Sequence, residues 1–209
     1  MRDKLESVLQ VLTLAERLKF ELRHSYTSSG RQESVAEHTW RMALMAILIE
    51  PLLPKKVDTA KLLKMIIIHD LVEAEAKDVS ALDVLRNPEI RAEKIAREKK
   101  AIENLRDSLI NVNGQEIYDL FYEFEHKETY EAKLANAFDK LEVQLQHNHA
   151  SMSTWEKIEY EMSYMMDKHT DFDETIFELK QLIEDAADAK MQSAGIDTSK
   201  VKAKVKSTL

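Results

Sequence analysis

Three glycines and three prolines in 209 residues limit this chain more than any other feature it has. Average usage is about 7% and about 5%, and strands need frequent turns built on glycine, proline or asparagine. An all-β fold is excluded, and an all-α fold is predicted. One third of the residues are charged, in the lysine- and glutamate-rich mix that covers solvated helix faces. The 44% that are hydrophobic suffice for a sizeable core.

Period and capping signals divide the chain into about eight helices. The first spans about residues 3–22, with Leu5, Val8, Leu9, Leu12 and Leu18 near helical spacing. A polar loop follows over 25–32. Ser34 and Glu37 have the form of a capping box and open a helix reaching about Glu50. Asp58 caps a helix to about Ala76, and its apolar stretch 62–72 predicts a central, buried element. Asn87-Pro88-Glu89 starts a charged helix that ends before Asn113-Gly114. Helices over 115–125 and 130–149 come next, then a second capping box at Ser153–Glu156 and a last long helix from Asp171 to near Gly195. The organisation expected is a single domain, 1–209. Its core is about 18–150, packing or dimer helices follow over about 153–195, and a frayed basic tail covers 196–209.

The same arithmetic narrows the function. The longest apolar runs, 43–49 and 65–68, fall far short of the roughly 20 residues of a membrane span. The N-terminus is amphipathic and carries no signal-peptide block. The absence of cysteine excludes disulfides, thiolate metal sites and a cysteine nucleophile. A cytoplasmic location is the expectation. A net charge of −8 argues against a nucleic-acid polymer as partner, which would need a basic face.

Ionisable residues inside the most apolar helix mark the place where chemistry is expected, because burying them is costly unless they are paired or bind a metal. His69, Asp70 and Glu73 stand there. On one continuous helix Glu73 would lie one turn along the same face. The spacing suits two metal ligands and a general base. It equally suits a core histidine, an aspartate bonded to a neighbouring helix and a surface glutamate. His38 lies one turn into the capped helix, on a face continuing through Met42, Met45 and Ile49, and Asp139 is an acid among apolar helical neighbours. Each alone reads as packing. Together they give histidine, histidine-aspartate and aspartate on three inner helices.

That order resembles the HD-domain metal-dependent phosphohydrolases, with their H…HD…D signature. The surrounding text makes the match specific: Glu33-Ser34-Val35-Ala36-Glu37-His38, Ile68-His69-Asp70-Leu71-Val72-Glu73-Ala74 with Asp78 beyond it, and Phe138-Asp139-Lys140-Leu141-Glu142. The subgroup it is most similar to is the YfbR-like 5′-deoxynucleotidases, over about residues 18–149. The resemblance implies that His38, His69, Asp70 and Asp139 bind one divalent metal (Mn, Co, Ni, Fe, Zn or Mg) and that Glu73 activates the attacking water. It implies that Arg23 contacts phosphate and that Asp78 lies near the sugar. The implied substrate is a nucleoside 5′-monophosphate, and the implied assembly a homodimer. The alternatives are hydrolysis of another phosphate ester (a nucleoside triphosphate, cyclic dinucleotide or alarmone) or a catalytically silent helical regulatory protein.

Two positions depart from the subgroup. Lys77 replaces the usual glycine before Asp78, and His24 replaces an aromatic residue that helps to select deoxyribose; Tyr26 or Trp40 is a substitute ring. Arg23 also reads as an arginine bonding the last carbonyls of the first helix. Glu33 and Glu37 read as capping acids, Arg41 as a structural partner of a carboxylate, and Glu98 as part of a solvent face. His126, His147, His149 and His169 read as solvated, Met162, Met165 and Met166 as core or dimer contacts, and residues 77–88 as a lid.

Overall fold

The computed structural model describes residues 1–80, 83, 84 and 87–208. The fold is all-α with one small hairpin. Its helices are α1 (Arg2–Ala15), α2 (Val35–Ile49), α3 (Thr59–His69), α4 (Glu73–Ala76), α5 (Pro88–Ser108), α6 (Gly114–His126), α7 (Tyr130–His149), α8 (Lys157–Met162), α9 (Asp167–Thr170), α10 (Glu174–Ser193) and α11 (Thr198–Thr208). Strands β1 (Leu22–Tyr26) and β2 (Gln32–Ser34) pair antiparallel, Leu22 opposite Ser34 and Tyr26 opposite Gln32. No helix among the described residues is long and apolar enough to cross a membrane.

Helices α3 and α7 form the centre. Leu62, Met65 and Ile66 of α3 and Leu134, Ala135, Phe138 and Leu141 of α7 are fully buried. Each large side chain of that set contributes roughly 1.5–3 kcal/mol. Helix α2 packs on both, and α6 packs on α3 and α5. Ile67 faces solvent, so α3 is buried on most of its circumference and not all round.

Four local features differ from the sequence reading. The first helix stops at Ala15; a 3₁₀ turn, Glu16–Lys19, leads into β1, so the polar stretch after it is a hairpin turn with Gly30 at φ 85°. The helix predicted to run from Asp58 to Ala76 breaks at Asp70, whose φ of −100° and ψ of 4° end α3. The second capping box lies three residues further on, with Glu156 as the cap and Glu159 as its partner, and Asp173 rather than Asp171 caps α10. The basic tail is helix α11. It buries Val205 against a satellite cluster with Trp155, Tyr164, Ala187 and Met191, and Lys202 pairs with Asp188. The alternation of lysine with valine and alanine hides an apolar face that is too short to read as periodic. Part of the expected lid, residues 81, 82, 85 and 86, lies outside the described residues.

Candidate metal centre and active site

Three helices deliver the H…HD…D residues to one point. Ser34 caps α2, accepting from the Glu37 N–H while Glu37 accepts from the Ser34 N–H at 3.0 Å. This fixes the start of α2 and sets His38 one turn in. His69 is the last residue of α3, and the break at Asp70 turns that carboxylate back beside it. Asp139 comes from the middle of α7. His38 Nε2 lies 3.3 Å from Asp139 Oδ1 and 3.8 Å from Asp70 Oδ2, and His69 Nε2 lies 3.1 Å from Asp70 Oδ2. Ligand-type atoms of His38, His69 and Asp139 all fall within 4.8 Å of one another.

Both imidazoles are oriented from behind. His38 Nδ1 is hydrogen-bonded to Glu142, and Arg41 Nε donates to the other oxygen of Glu142 at 2.6 Å. His69 Nδ1 donates to the Ile66 carbonyl at 2.7 Å. With the proton on Nδ1, each ring presents the Nε2 lone pair to the shared point. Both Nε2 atoms are buried and complete no hydrogen bond. Two imidazoles and two carboxylates converging, each ring backed by a second partner, is the donor set of a first-row transition ion. These residues fit a metal.

The electrostatics agree. Burial alone would raise the Asp70 carboxyl, but His69, Arg23 and His38 outweigh it and hold it well below the usual carboxylate range. Burial opposes ionisation of Asp139 too, and Lys140 and His38 overcome it. Glu142 stays below its ordinary value because His38 and Arg41 outweigh its burial. Glu33 goes the other way: burial and the Glu142 charge raise it to about 7.

Arg23 reaches this cluster from β1. Its guanidinium donates to Asp70 Oδ2 at 3.2 Å, and its Nε, buried and unbonded, is 3.9 Å from Glu33. The alternative role at a helix C-terminus is ruled out, since Arg23 lies on a strand. Glu33 is not a cap either; it is buried between Arg23 and Arg41. Arg41 pairs with Glu142, as its sequence reading had it.

Glu73 starts α4 and is buried, with Oε2 unpartnered. Burial, then the Asp70 and Asp78 charges, push it well above the ordinary glutamate value. Asp78 lies against Glu73, raised mainly by burial and opposed by Arg23. Between them, Lys77 takes φ 73° and ψ 143°, a region nearly restricted to glycine. Glu21 ties the bend down, accepting from the Asp78 N–H at 3.1 Å and from Lys77 Nζ at 3.1 Å. Lys94 of α5, paired with Glu98, also lies close enough to lower Glu73. Glu98 is half-buried there and not part of a solvent face.

His24 stands apart. Successive strand residues point to opposite faces, so with Arg23 on the cluster, His24 turns toward α8. Its Nε2 is 3.2 Å from Glu159. His147 Nε2 lies 3.1 Å from the same oxygen, and the His147 ring packs on Trp155. His147 is thus a buried residue, not a solvated one, and His169 is half-buried, 3.0 Å from Asn136. Trp40, two residues after His38, emerges on the far side of α2 and is exposed. Trp40 therefore does not substitute for the aromatic at position 24. Glu142, Glu33, Lys94 and Glu159 escaped the sequence reading; only Glu142 had a signal, three residues after Asp139 on the same face.

The comparisons with known proteins place the chain in one family. A family model described as HD domain matches residues 15–180, a stretch holding every residue of the cluster. The protein named 5′-deoxynucleotidase HDDC2 of Xenopus laevis is 34% identical over 68% of this chain and 68% of its own. The human protein of that name is 29% identical over 77% of this chain and 74% of its own. A solved structure titled as a predicted metal-dependent phosphohydrolase, from Magnetospirillum magnetotacticum, superposes with a TM-score of 0.76. It is 25% identical and covers 93% of this chain and 98% of that one. With the family model spanning most of the chain and relatives above 30% identity over two thirds of it, the chain belongs to the HD-domain family.

Proposed function

We propose that the protein is a metal-dependent phosphomonoesterase that hydrolyses deoxynucleoside 5′-monophosphates to nucleoside and inorganic phosphate. The observation that carries this is the pair of desolvated, unbonded Nε2 atoms of His38 and His69 facing Asp70 and Asp139, with Glu73 alongside. The substrate class rests on relatives named 5′-deoxynucleotidase at about 30% identity.

His38, His69, Asp70 and Asp139 would hold one divalent cation. Such a cation supplies a Lewis acid for a phosphoryl oxygen and makes water more acidic. The chain's residues do the rest. Arg23, buried with a free Nε, offers a planar fork to the remaining phosphate oxygens. Glu73, its proton affinity raised by burial, takes a proton from the attacking water as the new P–O bond forms. It then returns that proton to the 5′ oxygen as the P–O5′ bond breaks. Asp78 stands next to Glu73 as an acceptor for a sugar hydroxyl. No nucleophilic cysteine exists in the chain, and water is the nucleophile.

Homodimerisation belongs to the same proposal. The outer face of α2 exposes Trp40, Leu44, Ile47 and Leu48 at helical spacing, the kind of apolar stripe that a second copy covers. The candidate interface is therefore α2, rather than the two C-terminal helices.

The test is phosphate release from all deoxynucleotide and ribonucleotide monophosphates, by protein stripped and reloaded with Mn, Co, Zn or Mg. Metal-dependent release from deoxynucleotides is the expected result. Silence with every monophosphate and every metal would break the substrate assignment.

A further inference from the structure

A cavity of about 240 Å³ opens beside α7, between the end of α6 and the turn joining α9 to α10. Its walls carry Lys127, Lys133 and Lys168, with Asn136 and His169 among its lining residues. No function described so far uses it. The protein as a whole is acidic, with 38 carboxylate residues against 30 basic ones, yet three lysines line this one cavity. The side chains of Lys127, Lys133 and Lys168 form no ion pair among the described residues. Asp171, also in the wall, is a single carboxylate against three cations.

The lining residues sharpen the picture. Asn136 is buried and its amide N–H donates to His169 Nδ1 at 3.0 Å. That bond leaves the proton of the neutral ring on Nε2, as a donor. Burial, then Lys140, Lys168 and Lys127, push the His169 pKa down to about 4, so the ring is neutral near pH 7 and feels the field of the surrounding lysines. Like charges gathered with a single counter-charge among them repel one another. An anion would relieve that repulsion. Ammonium donors at several points suit a compact oxyanion with acceptor oxygens in every direction. The volume is below the roughly 300–1,000 Å³ of sites that enclose a drug-sized ligand, so a phosphate group fits and a whole nucleotide does not.

We infer that this cavity is a second, non-catalytic binding site for a phosphate group, held by Lys127, Lys133, Lys168 and His169. The phosphate is either the free ion or the terminal phosphate of a nucleotide whose remainder lies outside. The site adjoins the metal cluster through α7. Lys140, one of the charges acting on His169, places Nζ 2.7 Å from Asp139 Oδ2.

The experiment follows the His169 ring resonances by NMR in the full-length protein, assigned with His169→Gln. Inorganic phosphate and a non-hydrolysable α,β-methylene deoxynucleoside triphosphate are titrated separately, each against chloride at matched ionic strength. The site predicts a saturable shift. In the double variant Lys127→Ala/Lys168→Ala, which removes two charge-assisted contacts, that binding weakens at least about tenfold, while phosphate release from monophosphates is unchanged. Tighter binding of the triphosphate identifies a nucleotide as the source; tighter binding of inorganic phosphate identifies the free ion. No shift with either probe, an equal shift with chloride, or unchanged affinity in the double variant overturns the inference. Because the readout is binding at His169, it stands or falls separately from the nucleotidase proposal.

Discussion

His38 and Glu142, 104 residues apart in sequence, share a hydrogen bond between Nδ1 and a carboxylate oxygen in a fully buried setting. Arg41 anchors the far side of the same carboxylate. The bond fixes the tautomer of His38 and aims its Nε2 at Asp139 and Asp70. Replacing such a partner costs about 10- to 100-fold in metal affinity. Glu142→Gln is expected to weaken binding by that amount in a chelator competition, with helix content unchanged by circular dichroism. Affinity equal to wild type would show that His38 needs no support.

The Glu73 side chain makes no hydrogen bond to the proposed ligands, and its backbone bond to the Asp70 carbonyl survives substitution, so loss of the carboxylate separates chemistry from metal binding. Glu73→Gln is expected to lower turnover about 10²- to 10⁴-fold, with metal stoichiometry by elemental analysis unchanged. A variant that also loses its metal would place Glu73 among the ligands.

Lys77 adopts φ 73° and ψ 143°, and its ammonium pairs with Glu21 on the exposed surface, where such pairs add little. Lys77→Gly is expected to stabilise the fold by roughly 1 kcal/mol, raising the melting temperature by about 2–4 °C. The backbone bond from Asp78 to Glu21 survives the change. A lower melting temperature would mean that the Lys77–Glu21 pair outweighs the strain.

Glu159 is shared by His147 and His24. Burial alone would raise its pKa, but the two histidines lower it to about 2 from an ordinary 4.5. A carboxylate with a depressed native pKa stabilises the fold above its unfolded value and loses that contribution as pH falls through the native one. Allowing for the partly exposed His24 ring, Glu159→Gln should cost about 1–2 kcal/mol near neutral pH. In urea unfolding, the gap to wild type should close as pH drops from about 4.5 toward about 2. A gap that is constant with pH would assign the loss to packing instead.

Much of the site was legible because metal chemistry needs ionisable residues where apolar ones are expected. His38, His69, Asp70 and Asp139 each broke an apolar helical pattern, and the structure brings all four together. The helix break at Asp70 was not legible. No glycine or proline marks it, and the apolar run continues through Leu71 and Val72; the end of α3 is set by tertiary packing. The hairpin was missed for a related reason, since Leu22–Tyr26 has one apolar residue at each end and no alternation to show a strand. Glu33 looked like a helix-start acid, and only the three-dimensional approach of Arg23 and Arg41 reveals a buried charge. A long-range partner such as Glu159 for His24 has no local signature at all, and Glu142 shows only its spacing from Asp139, not its pairing with His38.

Cobalt titration of the stripped protein tests the proposed phosphomonoesterase most simply, following the visible absorption of bound cobalt and phosphate release from dAMP in one sample. Bound cobalt and activity are predicted to rise and saturate together, and both to fail in Asp139→Asn. Release of phosphate by the stripped protein, or cobalt saturation with no release from any deoxynucleoside monophosphate, would contradict it.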